Sequence, residues 1–245
     1  MKSCQKKFYP EIQFGGFSHL DGTIQFYLRV NALLNPQFVV LDVGCGRGEY
    51  CNDPVEIRKS LRILRGKASR VIGLDVDPVA TENPAIDEFR LLESPSSPWP
   101  LDDESVDMII SDWTLEHVAN PDIFFSEARR VLKEGGYLCI RTTNAWGYVA
   151  FIARTIPEAF HNRLIRWAQK VRKEEDIFPT IYRCNTIPKI KHILKKHCFA
   201  GVVFSPIGAP AYLNFSCIVY FFGMLYERFS PQWLRHTILV FAQKT

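Results

Sequence analysis

Apolar residues along this 245-residue chain recur in two rhythms. Short, almost continuous apolar runs bounded by turn residues occur at Phe38–Asp42, Val71–Asp75, Val106–Ser111, Tyr137–Thr142, Val202–Ser205 and Thr237–Gln243, and a further strand is expected near Glu88–Leu92. Runs of that length, rich in Val and Ile, predict strands buried on both faces. Between them the apolar positions take helical spacing. Asp21 is placed to cap a helix carrying Ile24, Tyr27, Leu28 and Leu34, which Pro36 ends. A polar, basic helical region runs from about Pro54 to Lys67. Asn120, Pro121 and Asp122 form a helix-start signal, with Phe124, Ala128, Val131 and Leu132 as the buried stripe and Gly135 as the expected stop. Asn185 or Thr186 caps a further helix with Ile190, Ile193, Leu194 and Cys198 on one face. Strands alternating with helices predict an α/β fold: a doubly wound, seven-stranded, mostly parallel sheet with helices on both faces.

Three stretches break the alternation. Residues 1–20 carry aromatics around Phe14-Gly15-Gly16-Phe17 and read as an arm or lid. From Trp146 to about Ile181 the alternation lapses: an amphipathic, basic, aromatic helical segment runs from Tyr148 to Lys173, with Pro157 inside it, and the loop Asp176-Ile177-Phe178-Pro179 follows. The helical segment is consistent with a cap over a site or with a helix lying on a membrane surface, and the interrupting proline favours two short packed helices. Tyr212–Phe229 fits neither rhythm. The expected organisation is an N-terminal arm and helix over residues 1–36 and one domain over 37–245, with a cap or acceptor region at about 145–184.

Charge sharpens this division. The net charge is +4, too mild to imply nucleic-acid binding, yet residues 154–196 hold eleven Lys or Arg against four acids. That local excess suits either solvated helix faces or an anionic partner. The seven cysteines form no C-x-x-C pair and no zinc spacing with histidine. They are expected to be reduced thiols of a cytoplasmic protein, with no metal site. No secretory signal and no bilayer-length apolar stretch is apparent.

The most informative chemistry follows the first predicted strand. Asp42 closes that strand, and Gly44, Gly46 and Gly48 follow at alternate positions. Glycines at a strand end let the backbone approach a ligand. A dinucleotide loop needs the spacing G-x-G-x-x-G. Here Glu49 stands after the third glycine, and a carboxylate repels a pyrophosphate but attracts a cationic ligand.

With these residues the chain resembles the class I S-adenosylmethionine-dependent methyltransferases, in particular the group related to the ubiquinone-biosynthesis C-methyltransferases. The resemblance covers roughly residues 38–144. Val39–Gly48 matches the first motif, Val71–Asp77 the second, Ser105-Val106-Asp107 the opening of the fourth strand, and Leu115–Pro121 and Arg130–Gly136 the helix boundaries. It implies a Rossmann-like fold and S-adenosyl-L-methionine as cofactor. Gly44, Cys45, Gly46 and Gly48 would lie under the methionine part of that ligand, with Asp42 organising the loop. Asp75 would accept hydrogen bonds from the ribose hydroxyls, and Val76 would flank the adenine. The gap from Gly48 to Asp75 is longer than usual, which implies an enlarged first helix or an insertion.

Asp112 and Trp113 follow the fourth strand, beside the expected methyl group. Asp112 could orient ligand or acceptor, or act in catalysis, and Trp113 could stack on either. His117 is a candidate base, with a hydrogen-bonded structural role as its alternative. The runs Arg141–Tyr148 and Asp176–Thr186 resemble methyltransferases of cell-surface polysaccharide assembly. The expected activity is therefore methyl transfer, as O-methylation, to a small molecule or to a glycan or lipid-linked sugar, an anionic one included. The alternatives are a binding protein that kept the fold without catalysis and an NAD-dependent dehydrogenase. No Asn/Asp-Pro-Pro-aromatic motif for a flipped base occurs, so nucleic acid is not an expected partner. Peripheral membrane contact is compatible with the basic, aromatic segment.

Overall fold

A computed structural model of the chain describes residues 4–155 and 180–245. Seven strands form one sheet in the order β3-β2-β1-β4-β5-β7-β6. They are β1 (Val39–Val43), β2 (Arg70–Asp75), β3 (Glu88–Leu91), β4 (Val106–Asp112), β5 (Leu132–Thr143), β6 (Phe199–Phe204) and β7 (Thr237–Lys244). β7 runs antiparallel to both its neighbours, while β1 to β5 pair in parallel. The seven expected strands are all present and the doubly wound sheet is confirmed. The carboxyl ends of β1, β2 and β4 therefore converge on one edge, where open α/β sheets bind ligands.

The helices follow from local chemistry. α1 (Cys4–Phe8) is short. α2 (Gly22–Leu33) starts where Asp21 accepts from the amides of Thr23 and Ile24 at 3.0 and 3.1 Å, and it buries Phe26, Tyr27 and Val30 against one face of the sheet. α3 (Glu56–Arg62) is shorter than the predicted Pro54–Lys67, because the chain leaves the helix at Ile63 and seats Leu64 in the core. α4 (Pro121–Val131) is capped by Asn120 and buries Phe124, Phe125, Ala128 and Val131 on the opposite face. α5 (Tyr148–Thr155), α6 (Ile187–Lys196) and α7 (Cys217–Phe229) complete the set of described helices. Most of the predicted segment 148–173 and the run 176–179 lie outside the described residues.

Two expectations need correction. Gly135 does not stop α4. The helix ends at Val131, and β5 begins at once with Leu132 beside Val106. The register then shifts before Tyr137 pairs with Met108. Gly135, at φ +74°, lies in the intervening bulge, and a Cβ on Gly136 would come within 3.0 Å of the Asp107 carbonyl. The glycines thus allow a β-bulge rather than a helix cap. The cysteines are not all free thiols: Cys4 and Cys217 are joined in a disulfide across 213 residues, with Cα atoms 5.0 Å apart. It fastens α1 to the start of α7. Among the described residues no helix is long and apolar enough to cross a membrane.

Candidate active site

The glycine loop leaves β1 and is held from three sides. The amide of Gly44 donates to the Leu74 carbonyl at 2.7 Å, and the Thr114 hydroxyl donates to the Val43 carbonyl at 3.1 Å. Buried Asn83 donates its amide to the carbonyls of Cys45 and Gly46 at 3.0 and 3.1 Å. Gly44, Gly46 and Gly48 have φ of +75°, +54° and +73°, a region that other residues enter only at a cost. They differ in what surrounds them. A Cβ on Gly44 would collide with Thr114 and one on Gly48 with Asn83, whereas one on Gly46 would meet nothing within 4 Å. Gly44 and Gly48 serve close packing, and Gly46 faces open space.

Asp75 ends β2. Its Oδ2 accepts from the Gly46 amide at 2.9 Å and its Oδ1 from the Asp77 amide at 3.0 Å. Each oxygen keeps a lone pair. Val76, 36% exposed, lies next to it. The Cys45 side chain points into the core, where its sulfur packs over Gly73, so Cys45 presents backbone to the loop. The loop's organising bonds come from Asp75, Asn83 and Thr114 rather than from Asp42.

Asp42 instead lines a small enclosed pocket together with Tyr27, Tyr50, Arg62 and Ile110. Its carboxylate makes no hydrogen bond among the described residues. Burial pushes its pKa up to about 7; Asp112 adds to the rise and Arg62 opposes it. Arg62, from α3, stacks its guanidinium on the Tyr50 ring at 4.4 Å and reaches Asp112 at 3.4 Å. Its buried Nε has no hydrogen-bond partner. Arg62 thereby uses the long gap between Gly48 and Asp75 to bring a cation to the ends of β1 and β4.

Asp112 does not stand free for catalysis. Arg141 pairs with both its oxygens at 2.6 and 2.7 Å, and the Tyr27 hydroxyl donates to it at 3.0 Å. The two side chains of this ion pair are 6% and 3% exposed. Burial pushes the Asp112 carboxyl up, but Arg141, helped by Arg62 and Tyr27, more than offsets this and holds it below the usual range. A carboxylate so stabilised is a poor base. Trp113, at φ +60°, donates its amide to the Arg141 carbonyl at 2.9 Å and lays its ring against that guanidinium at 5.0 Å. The cation that Trp113 faces is therefore Arg141.

His117 lies on the turn after β4 (Leu115–His117) and is partly buried. Its neighbour Glu116 is buried and accepts from the hydroxyls of Thr142 and Thr143 at 2.7 and 3.2 Å. Burial raises the Glu116 carboxyl. The Glu116 carbonyl accepts the amides of Ile181 and Tyr182, and Asn185 donates to Thr142. This network fastens the returning chain to β5 and uses Asn185 there rather than as a cap. A larger cleft, of about 400 Å³, opens near Asp103, Glu104, Arg129, Arg130, Glu134 and Lys244. It lies at the opposite edge of the sheet, and Arg130 and Lys244 there are paired with Asp103, Glu104 and Glu134.

Sequence reasoning missed Arg62, Tyr50, Asn83 and Thr114. Asn83-Pro84 resembles an ordinary turn, and Arg62 one basic residue among several. Only the long gap before Asp75 hinted that something extra was built there.

Comparison with known proteins shows what this edge of the sheet is similar to. A family model described as a methyltransferase domain matches residues 41–140. The matched span contains the glycine loop, Asp75 and Asp112. A Mycolicibacterium smegmatis protein named as a probable S-adenosylmethionine-dependent methyltransferase is 34% identical over 110 residues, covering 43% of this chain and 38% of that protein. A ubiquinone biosynthesis O-methyltransferase of Brucella anthropi is 27% identical over 155 residues, covering 56% and 55%. The chain thus spans about half, or less, of the length of these curated relatives. The solved structure of an S-adenosylmethionine-dependent methyltransferase from Aquifex aeolicus shares the fold, with a TM-score of 0.52 and 17% identity over 99% of this chain and 97% of that one. Within the domain the ubiquinone-related likeness is to O-methyltransferases, where the sequence motifs suggested their C-methylating counterparts.

Proposed function

We propose that this chain is an S-adenosylmethionine-dependent methyltransferase whose acceptor is a hydroxyl of a small molecule, glycan or lipid-linked sugar. The observation that carries the reading is a pair near the end of β1: Arg62, whose buried Nε has no hydrogen-bond partner, and Asp42, which lines the same small pocket. A zwitterionic amino-acid end needs one such group of each sign. A pyrophosphate would have no use for Asp42, which disfavours the dehydrogenase alternative.

The residues present fit the methyl donor. Arg62 would donate to its carboxylate and Asp42 accept from its ammonium. Gly46 leaves open space on the loop, the free lone pairs of Asp75 suit ribose hydroxyls, and Val76 offers an apolar ledge to the adenine. The bound donor supplies a methyl group already activated by a sulfonium. What remains for the protein is to align the acceptor and exclude water, which contributes on the order of 7–11 kcal/mol in the best cases. The Asp112–Arg141 pair with Trp113 is a rigid wall for that purpose. A hydroxyl acceptor also has to lose a proton, and His117 is the candidate to take it.

O-methylation is supported by the likeness to ubiquinone biosynthesis O-methyltransferases. A glycan or lipid-linked sugar is supported by the resemblance of the runs 141–148 and 176–186 to methyltransferases of surface polysaccharide assembly. Incubation with methyl-labelled S-adenosylmethionine and fractionated glycan and lipid extracts tests this. Label should enter a base-stable ether. Label on nitrogen or carbon would overturn O-methylation. Donor binding with no labelled product in any fraction would favour the catalytically silent binding protein.

A further inference from the structure

The described residues leave one helix face bare. At about 100° per residue, Ile218, Phe222 and Phe229 of α7 fall on one side, and Tyr220, Gly223 and Glu227 on the other. The second set is buried. The first is not: Ile218 is 71%, Phe222 63% and Phe229 73% exposed. A contiguous aromatic and aliphatic stripe of this kind marks an interaction surface.

Its charges identify the partner. The only acid of α7, Glu227, is turned inward, where it accepts from His236 Nδ1 at 2.7 Å. The exposed flank of the stripe is basic. Arg228 lies over the Phe229 ring at 5.9 Å. The Cys4–Cys217 disulfide and the stack of Phe8 on Phe221 at 6.0 Å hold α1 against the start of the helix, and α1 exposes Lys6 and Lys7. Large apolar side chains with cations beside them and no exposed acid on the helix are the chemistry of a helix lying in the headgroup region of an anionic bilayer.

We propose that α7, with α1 fastened to it, is a docking surface for an anionic phospholipid membrane. The disulfide joins α1, with its exposed Lys6 and Lys7, to the end of α7 that carries Ile218. The inner face of α7 holds His236, the residue before β7, whose start lies beside Thr143 at the carboxyl end of β5. Docking therefore presents the edge of the sheet that carries the candidate site to the membrane. Membrane docking of this face does not depend on methyl transfer.

Co-sedimentation of the full chain with vesicles of phosphatidylcholine alone, and of phosphatidylcholine mixed with phosphatidylglycerol, tests it. The wild type should bind the mixed vesicles and bind the neutral ones far less. An Ile218→Glu/Phe222→Glu variant should lose binding by about tenfold or more while keeping its circular dichroism spectrum and thermal transition. A Lys6→Glu/Lys7→Glu variant should lose the preference for the anionic lipid. No binding by the wild type, or equal binding by the stripe variant, would overturn the proposal. So would a wild-type dimer that the stripe variant dissociates without any vesicle binding, since a second copy would then cover the face.

Discussion

Replacing Asp42 by Asn should move stability and ligand binding in opposite directions, with a pH dependence that is calculable. The Asp42 carboxyl rises from 3.8 to about 7 on folding because it is buried near Asp112. A carboxylate with a raised folded pKa binds its proton more tightly in the native state. Its contribution is therefore fully present below about pH 4 and is lost as pH rises to about 7. At about 1.4 kcal/mol per unit, the wild type should lose roughly 2–3 kcal/mol relative to Asp42→Asn between about pH 5 and about pH 8. Comparing the two pH values cancels whatever the amide itself costs, since Asn does not titrate. Urea unfolding of both proteins at each pH measures the difference. An advantage of the variant that is the same at both pH values would refute the buried-carboxylate argument. The same variant should bind S-adenosylhomocysteine about tenfold or more weakly, because a charge-assisted hydrogen bond to the ammonium is lost.

Three further outcomes are expected. Gly44→Ala should destabilise strongly, because its Cβ collides with Thr114, whereas Gly46→Ala should cost only about 1–2 kcal/mol from its positive φ yet abolish measurable S-adenosylhomocysteine binding; equal unfolding midpoints for the two would contradict the packing distinction. Arg62→Met should weaken S-adenosylhomocysteine binding while leaving methylthioadenosine, which lacks the amino-acid end, unaffected in calorimetry; parallel losses for both ligands would show that Arg62 acts only through structure. Arg141→Met leaves Asp112 buried without its main partner and should cost about 3–5 kcal/mol in urea unfolding; a loss below about 1 kcal/mol would mean that Arg62 and Tyr27 suffice to hold the carboxylate.

Much of the fold was legible because its determinants are local. Most strands are nearly continuous apolar runs, and Asp21 and Asn120 cap helices where the sequence places them. The glycine loop announced a ligand because alternate glycines at a strand end have few other uses. What was illegible depends on distance in sequence. Asn83 supports the loop from 37 residues away, and Arg141 reaches Asp112 across 29. Nothing in the spacing of Cys4 and Cys217 foretells a bond across 213 residues. Asp112 looked catalytic by position, because its position does not reveal which cation the tertiary fold brings to it. Gly135 looked like a helix stop because a helix cap and a β-bulge both call for a left-handed glycine.

The proposed function requires that the edge formed by Asp42, Gly46, Arg62 and Asp75 hold a sulfonium methyl donor. Titration calorimetry of the purified chain with S-adenosylhomocysteine, set against NAD under the same conditions, tests it most directly. Saturable binding of S-adenosylhomocysteine and none of NAD is the predicted result. An absence of binding for S-adenosylhomocysteine, or comparable binding of NAD, would contradict it.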